Sequence, residues 1–158
     1  MRVRSPEDFD ALYRALAPKL WRAIYVYTAG RRDITDDVVA EAFARALERS
    51  DTVVDAEPWL YRTAFRLASA ELRRRPNDVP AAGGSSDPAT SGLRDLVEAL
   101  RQLSPSQRAA IVLHYEADLP VSEVARRLDS TSGAVRVHLH MGRKRLRAIL
   151  GTREVADE

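Results

Sequence analysis

The stretch Leu119 to Arg147, LPVSEVARRLDSTSGAVRVHLHMGRKRLR, decides how the rest of the chain is read. Val121, Val124, Ala125 and Leu128 recur at the i, i+3, i+4, i+7 spacing of a short amphipathic helix, which Pro120 opens. Asp129 stands where a tight turn needs a residue that tolerates a left-handed backbone. Ser130, Thr131 and Ser132 then offer hydroxyl caps for a second helix. That helix turns Val135, Leu139, Gly142, Leu146 and Leu150 to one side. At about 100° per residue, Val137, His140, Met141 and Lys144 fall on the other, flanked by Arg136, Arg143 and Arg147. No acidic residue occurs from Arg136 to Arg147. A short helix, a tight turn and a helix with an acid-free basic face suit a DNA major groove, where side chains reach base edges and charges meet phosphates. The candidate duplex-reading residues are Ser132, Arg136, Val137, His140, Met141, Arg143, Lys144 and Arg147. For the second helix taken alone, a basic face that only meets solvent is the competing reading.

Upstream, Pro76 to Gly92, PNDVPAAGGSSDPATSG, breaks every periodic pattern. Three prolines, three glycines and almost no large apolar side chain predict a flexible linker. Fully extended at about 3.3–3.6 Å per residue, it would span roughly 55–60 Å. The chain therefore divides into residues 1–75, a linker over 76–92, a second helical module over 93–150 and a polar tail over 151–158, expected to fray. The second module starts with Leu93, Leu96, Val97, Leu100 and Leu103. A cap signal, Ser104-Pro105-Ser106-Gln107, then leads into Ala110, Ile111, Val112 and Leu113.

In the first module, Ser5-Pro6-Glu7-Asp8 reads as a helix start. Phe9, Leu12, Tyr13, Leu16 and Leu20 follow at helical spacing; Pro18 is expected to kink or divide this helix, and Gly30 to end it. A second helix, about Thr35 to Arg49, carries a wide apolar stripe (Val38, Val39, Ala42, Phe43, Ala46, Leu47), with Asp36, Asp37, Glu41, Arg45 and Glu48 elsewhere. The first two acids complement a helix dipole; an acidic docking face is the competing reading. After a polar loop, Asp51 to Glu57, a third helix runs from Pro58 to Arg75. Trp59, Leu60, Thr63, Ala64, Leu67 and Ala68 share its expected core side. Tyr61, Arg62, Phe65, Arg66, Ser69 and Arg73 share the other, where two aromatics among arginines resemble a stacking platform for unpaired bases. Burial of Tyr61 and Phe65 under the first helix is the alternative.

At 158 residues and a net charge of +2 the chain fits one domain or two small ones. Its cations are nearly all arginine, Lys19 and Lys144 being the sole lysines. Arginine favours bidentate phosphate and base contacts, and a GC-rich genome produces the same bias. Without cysteine there is no disulfide framework and no thiolate metal site. The first residues hold no apolar signal core and no run reaches the length of a membrane span, so a soluble cytoplasmic protein without membrane insertion is expected. Enzyme chemistry finds little footing. Of the three histidines, His138 and His140 lie about 200° apart around one helix, and there is no phosphate-cradling glycine loop. A hard-metal site at Asp36, Asp37 and Glu41 is the weakest alternative. Neither catalysis nor a cofactor is expected.

Taken together, the motifs resemble those of the extracytoplasmic function sigma factors of bacterial RNA polymerase, over about Phe9 to Leu150. DDVVAEAFARAL (Asp36–Leu47) resembles the helix that docks on the clamp helices of the polymerase's largest subunit. EPWLYRTAFRLASAELRRR (Glu57–Arg75) resembles the helix associated with promoter opening. LRQLSPSQRAAIVLHYEADLPVSEVARRL with GAVRVHLHMGRKRL resembles the module that reads the -35 element. The resemblance implies an all-α protein of two small domains that binds core polymerase and directs transcription initiation. It assigns Asp36, Asp37, Glu41 and Arg45 to polymerase docking. To the -10 element it assigns Asp51, Thr52 and Val53 in a base-capturing loop over Ser50 to Ala56, with Trp59, Tyr61, Arg62, Phe65, Arg66 and Arg73. It implies double-stranded promoter DNA, the opened -10 strand and an anti-sigma factor as partners. Ala40 stands where the family usually has Gln, Arg66 where it has Asn, Ala70 where it has Asp, and His138 and Met141 where Arg is common. A stand-alone helix-turn-helix regulator explains Leu119 to Arg147 equally well, but leaves the first 75 residues without a role.

Overall fold

The structure is a computed structural model that describes residues 1–75 and 88–156. Most of the expected linker, 76–87, lies outside the described residues, as do the last two of the tail. Among the described residues are seven α-helices, one π turn and no strand: α1 (Pro6–Tyr27), α2 (Arg32–Glu48), α3 (Ala56–Arg74), α4 (Pro88–Arg101), α5 (Pro105–Ile111), the π turn Val112–Glu116, α6 (Val121–Leu128) and α7 (Ser132–Ala156).

The start signals act as expected. Ser5 Oγ accepts the Asp8 amide at 3.1 Å, and Asp8 Oδ2 accepts the Arg4 amide at 3.0 Å. Pro18 does not divide α1, which runs through it as one helix with Pro18 exposed. After Tyr27 the Gly30 amide reaches back to the Tyr25 carbonyl at 2.9 Å, with Gly30 at φ 84°, a backbone that glycine adopts freely. The first module's core is Leu16, Leu20 and Ile24 of α1, Ile34, Val38 and Ala42 of α2, and Leu60, Ala64 and Ala68 of α3, all buried. Phe43 packs edge-on against Phe9 and Tyr13, with ring centroids 6.2 and 4.9 Å away.

In the second module, α4 begins at Pro88, so its first turn occupies residues expected to be linker. Ser104 and Gln107 form a reciprocal capping box on α5. The apolar run Ile111 to Leu113 does not continue as α-helix but widens into the π turn. Asp129 sits at φ 53°, ψ 49°, the left-handed turn expected between α6 and α7, and Thr131 Oγ1 accepts the Ala134 amide at 3.1 Å to cap α7. Helix α7 passes Gly151 and continues to Ala156, into the tail expected to fray. Where α7 crosses α5, a Cβ on Gly142 would stand 2.9 Å from Ile111 Cγ1; the missing side chain lets the helices approach.

The modules are not held apart. Helix α6 packs on α3 and the π turn on α1. Arg127 pairs with Glu57 at 2.9 Å, Arg126 with Asp55 at 3.0 Å and Arg22 with Glu116 at 3.1 Å. At the other end of α3, Arg108 donates to the Tyr27 carbonyl at 3.2 Å and to those of Arg101 and Leu103 at 3.3 Å. The tether expected between the modules lies mostly outside the described residues, and the modules themselves meet along a closed, charge-laced seam.

Candidate docking face and nucleic-acid interface

Helix α2 presents Asp36, Asp37, Glu41 and Arg45 to solvent while Val38, Val39, Ala42, Phe43 and Ala46 point inward. Each acid already has a local partner. The Trp21 indole donates to Asp36 at 2.7 Å, Arg75 stands 3.7 Å from Asp37, and Arg45 donates to Glu41 at 2.7 Å one turn away. Asp37 and Glu41 keep side-chain exposures of 71% and 51%, so a cationic partner can reach both. Arg75 also binds Glu71 at 2.7 Å, and that hydrogen bond holds the Glu71 carboxyl below its usual range.

The loop before α3 divides its residues. Asp51 and Thr52 are exposed, but Val53 is buried, so its side chain does not face a base as expected. Its neighbour Val54, 66% exposed, faces solvent instead.

The stacking platform expected on α3 is not a free surface. Tyr61 and Phe65 are buried. Phe65 packs against Tyr27 of α1, with centroids 4.9 Å apart, and the Arg127 guanidinium lies 5.1 Å over the Tyr61 ring. Burial, then the charge of Glu57, pushes the Tyr61 hydroxyl above its ordinary pKa, against the pull of Arg127. The physical reason is that α3 packs not only on α2 but also against α1 and α6, so its buried arc is wider than a single stripe. Trp59 and Arg62 are half-buried, the latter donating to the Arg126 carbonyl at 3.2 Å, while Arg66 and Arg73 are exposed.

Helix α7 matches expectation most closely. Val135, Leu139 and Gly142 are buried; Arg136, Val137, His140, Met141, Lys144 and Arg147 are exposed, and Ser132 is half-buried at the start. Arg143 is steadied from behind. Its Nε donates to the Tyr115 hydroxyl at 2.5 Å and its guanidinium lies 5.6 Å over that ring, a partner that helix periodicity could not reveal. His138 belongs to a different surface, the groove between the modules that Arg62, Arg66 and Arg127 also line. No group of three His, Asp or Glu among the described residues could hold a metal ion, and no helix there is long and apolar enough to cross a membrane.

Residues 12–76 match the family model of sigma-70 region 2, and residues 93–146 that of sigma-70 region 4. The RNA polymerase sigma factor CarQ of Myxococcus xanthus is 32% identical over 98% of this chain and 95% of its own length. The ECF RNA polymerase sigma factor SigE of Mycolicibacterium smegmatis is 30% identical over 90% of this chain. The chain spans 62% of that relative's length. Among solved structures, the sigma factor RpoE of Bartonella quintana, crystallised with the anti-sigma factor NepR, shares the fold. Its TM-score is 0.72 at 22% identity, over 92% of this chain and 98% of that one.

Proposed function

Because the chain belongs to the extracytoplasmic function sigma factors of bacterial RNA polymerase, we propose that it binds core polymerase through α2 and directs it to promoters. Helix α7 reads the -35 element as duplex, and the loop before α3 holds the -10 element as opened strand. The observation that carries this reading is the outward face of α7 from Arg136 to Arg147, basic, free of acids and seated on a buried Val135–Leu139–Gly142 spine.

In the major groove, Val137 and Met141 offer apolar contact of the kind that meets thymine methyls, while Arg136, Lys144 and Arg147 meet phosphates. At the opened strand, Asp51, Thr52 and Val54 border the base and Arg66 and Arg73 follow the backbone. The exposed carboxylates Asp37 and Glu41 exchange their local arginines for cations of the polymerase clamp helices. An anti-sigma protein, such as the one RpoE assembles with, is a further expected partner.

The closed seam must part for this to work. Elements centred near -35 and -10 lie roughly 85 Å apart at 3.4 Å per base pair, whereas α3 and α6 are in contact here. With α4 starting at Pro88, the residues between modules are 76–87, which reach at most about 40 Å; that reach adds to the widths of the modules themselves. Parting also lifts Arg127 off Tyr61, exposing one of the two expected aromatics, while Phe65 stays under Tyr27.

Run-off transcription with purified core polymerase on genomic fragments tests the proposal; discrete chain-dependent transcripts are expected, and their absence would refute it. Replacing Asp37 and Glu41 together by Ala should abolish core binding with the second module still folded. Replacing Arg136 and Lys144 should weaken duplex affinity and reduce its salt slope by nearly two counterions; an unaltered slope would mean that neither touches phosphate.

A further inference from the structure

At the end of the seam away from Arg127 lies a cavity of about 480 Å³, of whose lining the proposed promoter contacts use only Arg73. Its walls come from both modules: Tyr27 to Ala29 after α1, the last turns of α3, and α4 and α5 across the seam. Five of its eleven lining residues are arginines, Arg31, Arg73, Arg75, Arg101 and Arg108, and none is acidic.

The carboxylates that the described residues bring to these arginines stand outside the lining. Asp33 lies 3.4 Å from both Arg31 and Arg75, Glu71 is 2.7 Å and Asp37 3.7 Å from Arg75, and Glu98 is 3.7 Å from Arg101. Arg73 is exposed and makes no ion pair with a described residue. Arg108 meets only carbonyl oxygens, and its Nε is buried with no hydrogen-bond partner. Burial, with the charge of Arg101 adding to it against the pull of Tyr27, lowers the pKa of Arg108. An anion in the cavity would offset the cost of that burial.

Guanidinium forks bind phosphate oxygens in pairs, which makes clustered arginine better suited to phosphate than to a compact monovalent ion. The volume is that of a small-molecule site, several times what one inorganic phosphate fills. The Tyr27 ring offers no open face for a base, being 1% exposed with Arg108 lying 5.4 Å over it. We infer that this arginine cavity binds a small polyphosphorylated anion, recognised through its di- or triphosphate chain, and that the bound anion holds the two modules together. Duplex DNA is a poor occupant, because the cavity exists only while the modules touch and the promoter requires them apart. The anion therefore opposes promoter engagement.

The test uses the full chain and three probes at equal ionic strength: sodium triphosphate, ATP and sulfate. Calorimetry should give micromolar binding of triphosphate, with a raised unfolding midpoint, and at least tenfold weaker binding of sulfate. ATP within a few-fold of triphosphate assigns recognition to the phosphate chain alone; ATP more than tenfold tighter assigns it to a nucleotide. Substituting Arg73→Gln with Arg101→Gln, neither of them a core residue, should reduce triphosphate affinity at least tenfold with an unchanged circular dichroism spectrum. In the unsubstituted chain, triphosphate should weaken binding of a -35 duplex, and in the double variant that effect should disappear. Triphosphate binding no tighter than sulfate, undiminished binding by the double variant, or a competition that survives in it would overturn the inference.

Discussion

Arginine serves the seam between the modules in two opposite ways. At the head of α3, Arg126 and Arg127 face carboxylates: Asp55 and Glu57 across the seam, and Glu123 on their own helix. At the far end, Arg108 faces none and donates instead to carbonyls where α1 ends and just beyond α4. The Tyr27 and Arg101 oxygens end their helices, so they carry the negative end of a helix dipole and lack an intrahelical donor. The first end is held by pairs that salt or another charged partner can exchange. The second is held across the seam by one backbone group, the Tyr27 carbonyl, which has no equivalent donor while the seam is closed, and it leaves positive charge over for a ligand.

Reversing one charge tests the paired end hardest. Arg127→Glu places a carboxylate among Glu57, Glu123 and the Tyr61 ring, and should destabilise the closed chain by about 3 kcal/mol, near the low end for a buried pair because Glu57 is half exposed. Urea unfolding together with the distance between fluorophores on α3 and α6 would register this. Adding Glu57→Arg should recover part of the loss, and no recovery would mean that the pair does not couple the modules. Arg108→Ala comes next, with about 2 kcal/mol lost as carbonyls are left without donors. Unlike the Arg127 effect, it should persist in high salt, because the bonds it removes are to neutral groups and are half-buried; equal salt dependence at both ends would erase the contrast.

A smaller effect is expected at Asp55. The Met1 amino group first, then Arg126, holds its carboxyl below the usual carboxylate range. A depressed pKa contributes stability above the unfolded value near 3.8, lost as pH falls through the folded one. The inter-fluorophore distance should therefore stay constant down to about pH 4 and lengthen only below it. The smallest change should come from Asp55→Asn at neutral pH, detectable at low salt and gone at 0.5 M sodium chloride, since its pairs are exposed and screened over about a Debye length.

Much of the fold could be read from the chain because local chemistry fixes it. Ser5 and Ser104 cap, Asp129 turns left-handed, and α7 buries the residues its spacing picks out. The start of α4 was missed, because the glycines and serines around Pro88 made that stretch read as linker. The burial of Tyr61 and Phe65 was not legible. Periodicity gives the direction of a helix's apolar face, but not how many neighbours cover it, and Tyr61 is closed over by an arginine 66 positions later in sequence. The role of Arg108 was equally out of reach, because its partners are backbone carbonyls and any residue type supplies those.

The bare α-carbon of Gly142 against Ile111 has a bearing on how this protein diverges from its relatives. With the α7 backbone seated directly on the Ile111 side chain, α7 has little freedom to roll about its long axis, so the azimuth of its outward residues is set from beneath. If α7 reads duplex as proposed, exchanges at His140 or Met141 should change which letters of DNA are favoured without re-aiming the helix, so that new promoter preferences arise one side chain at a time.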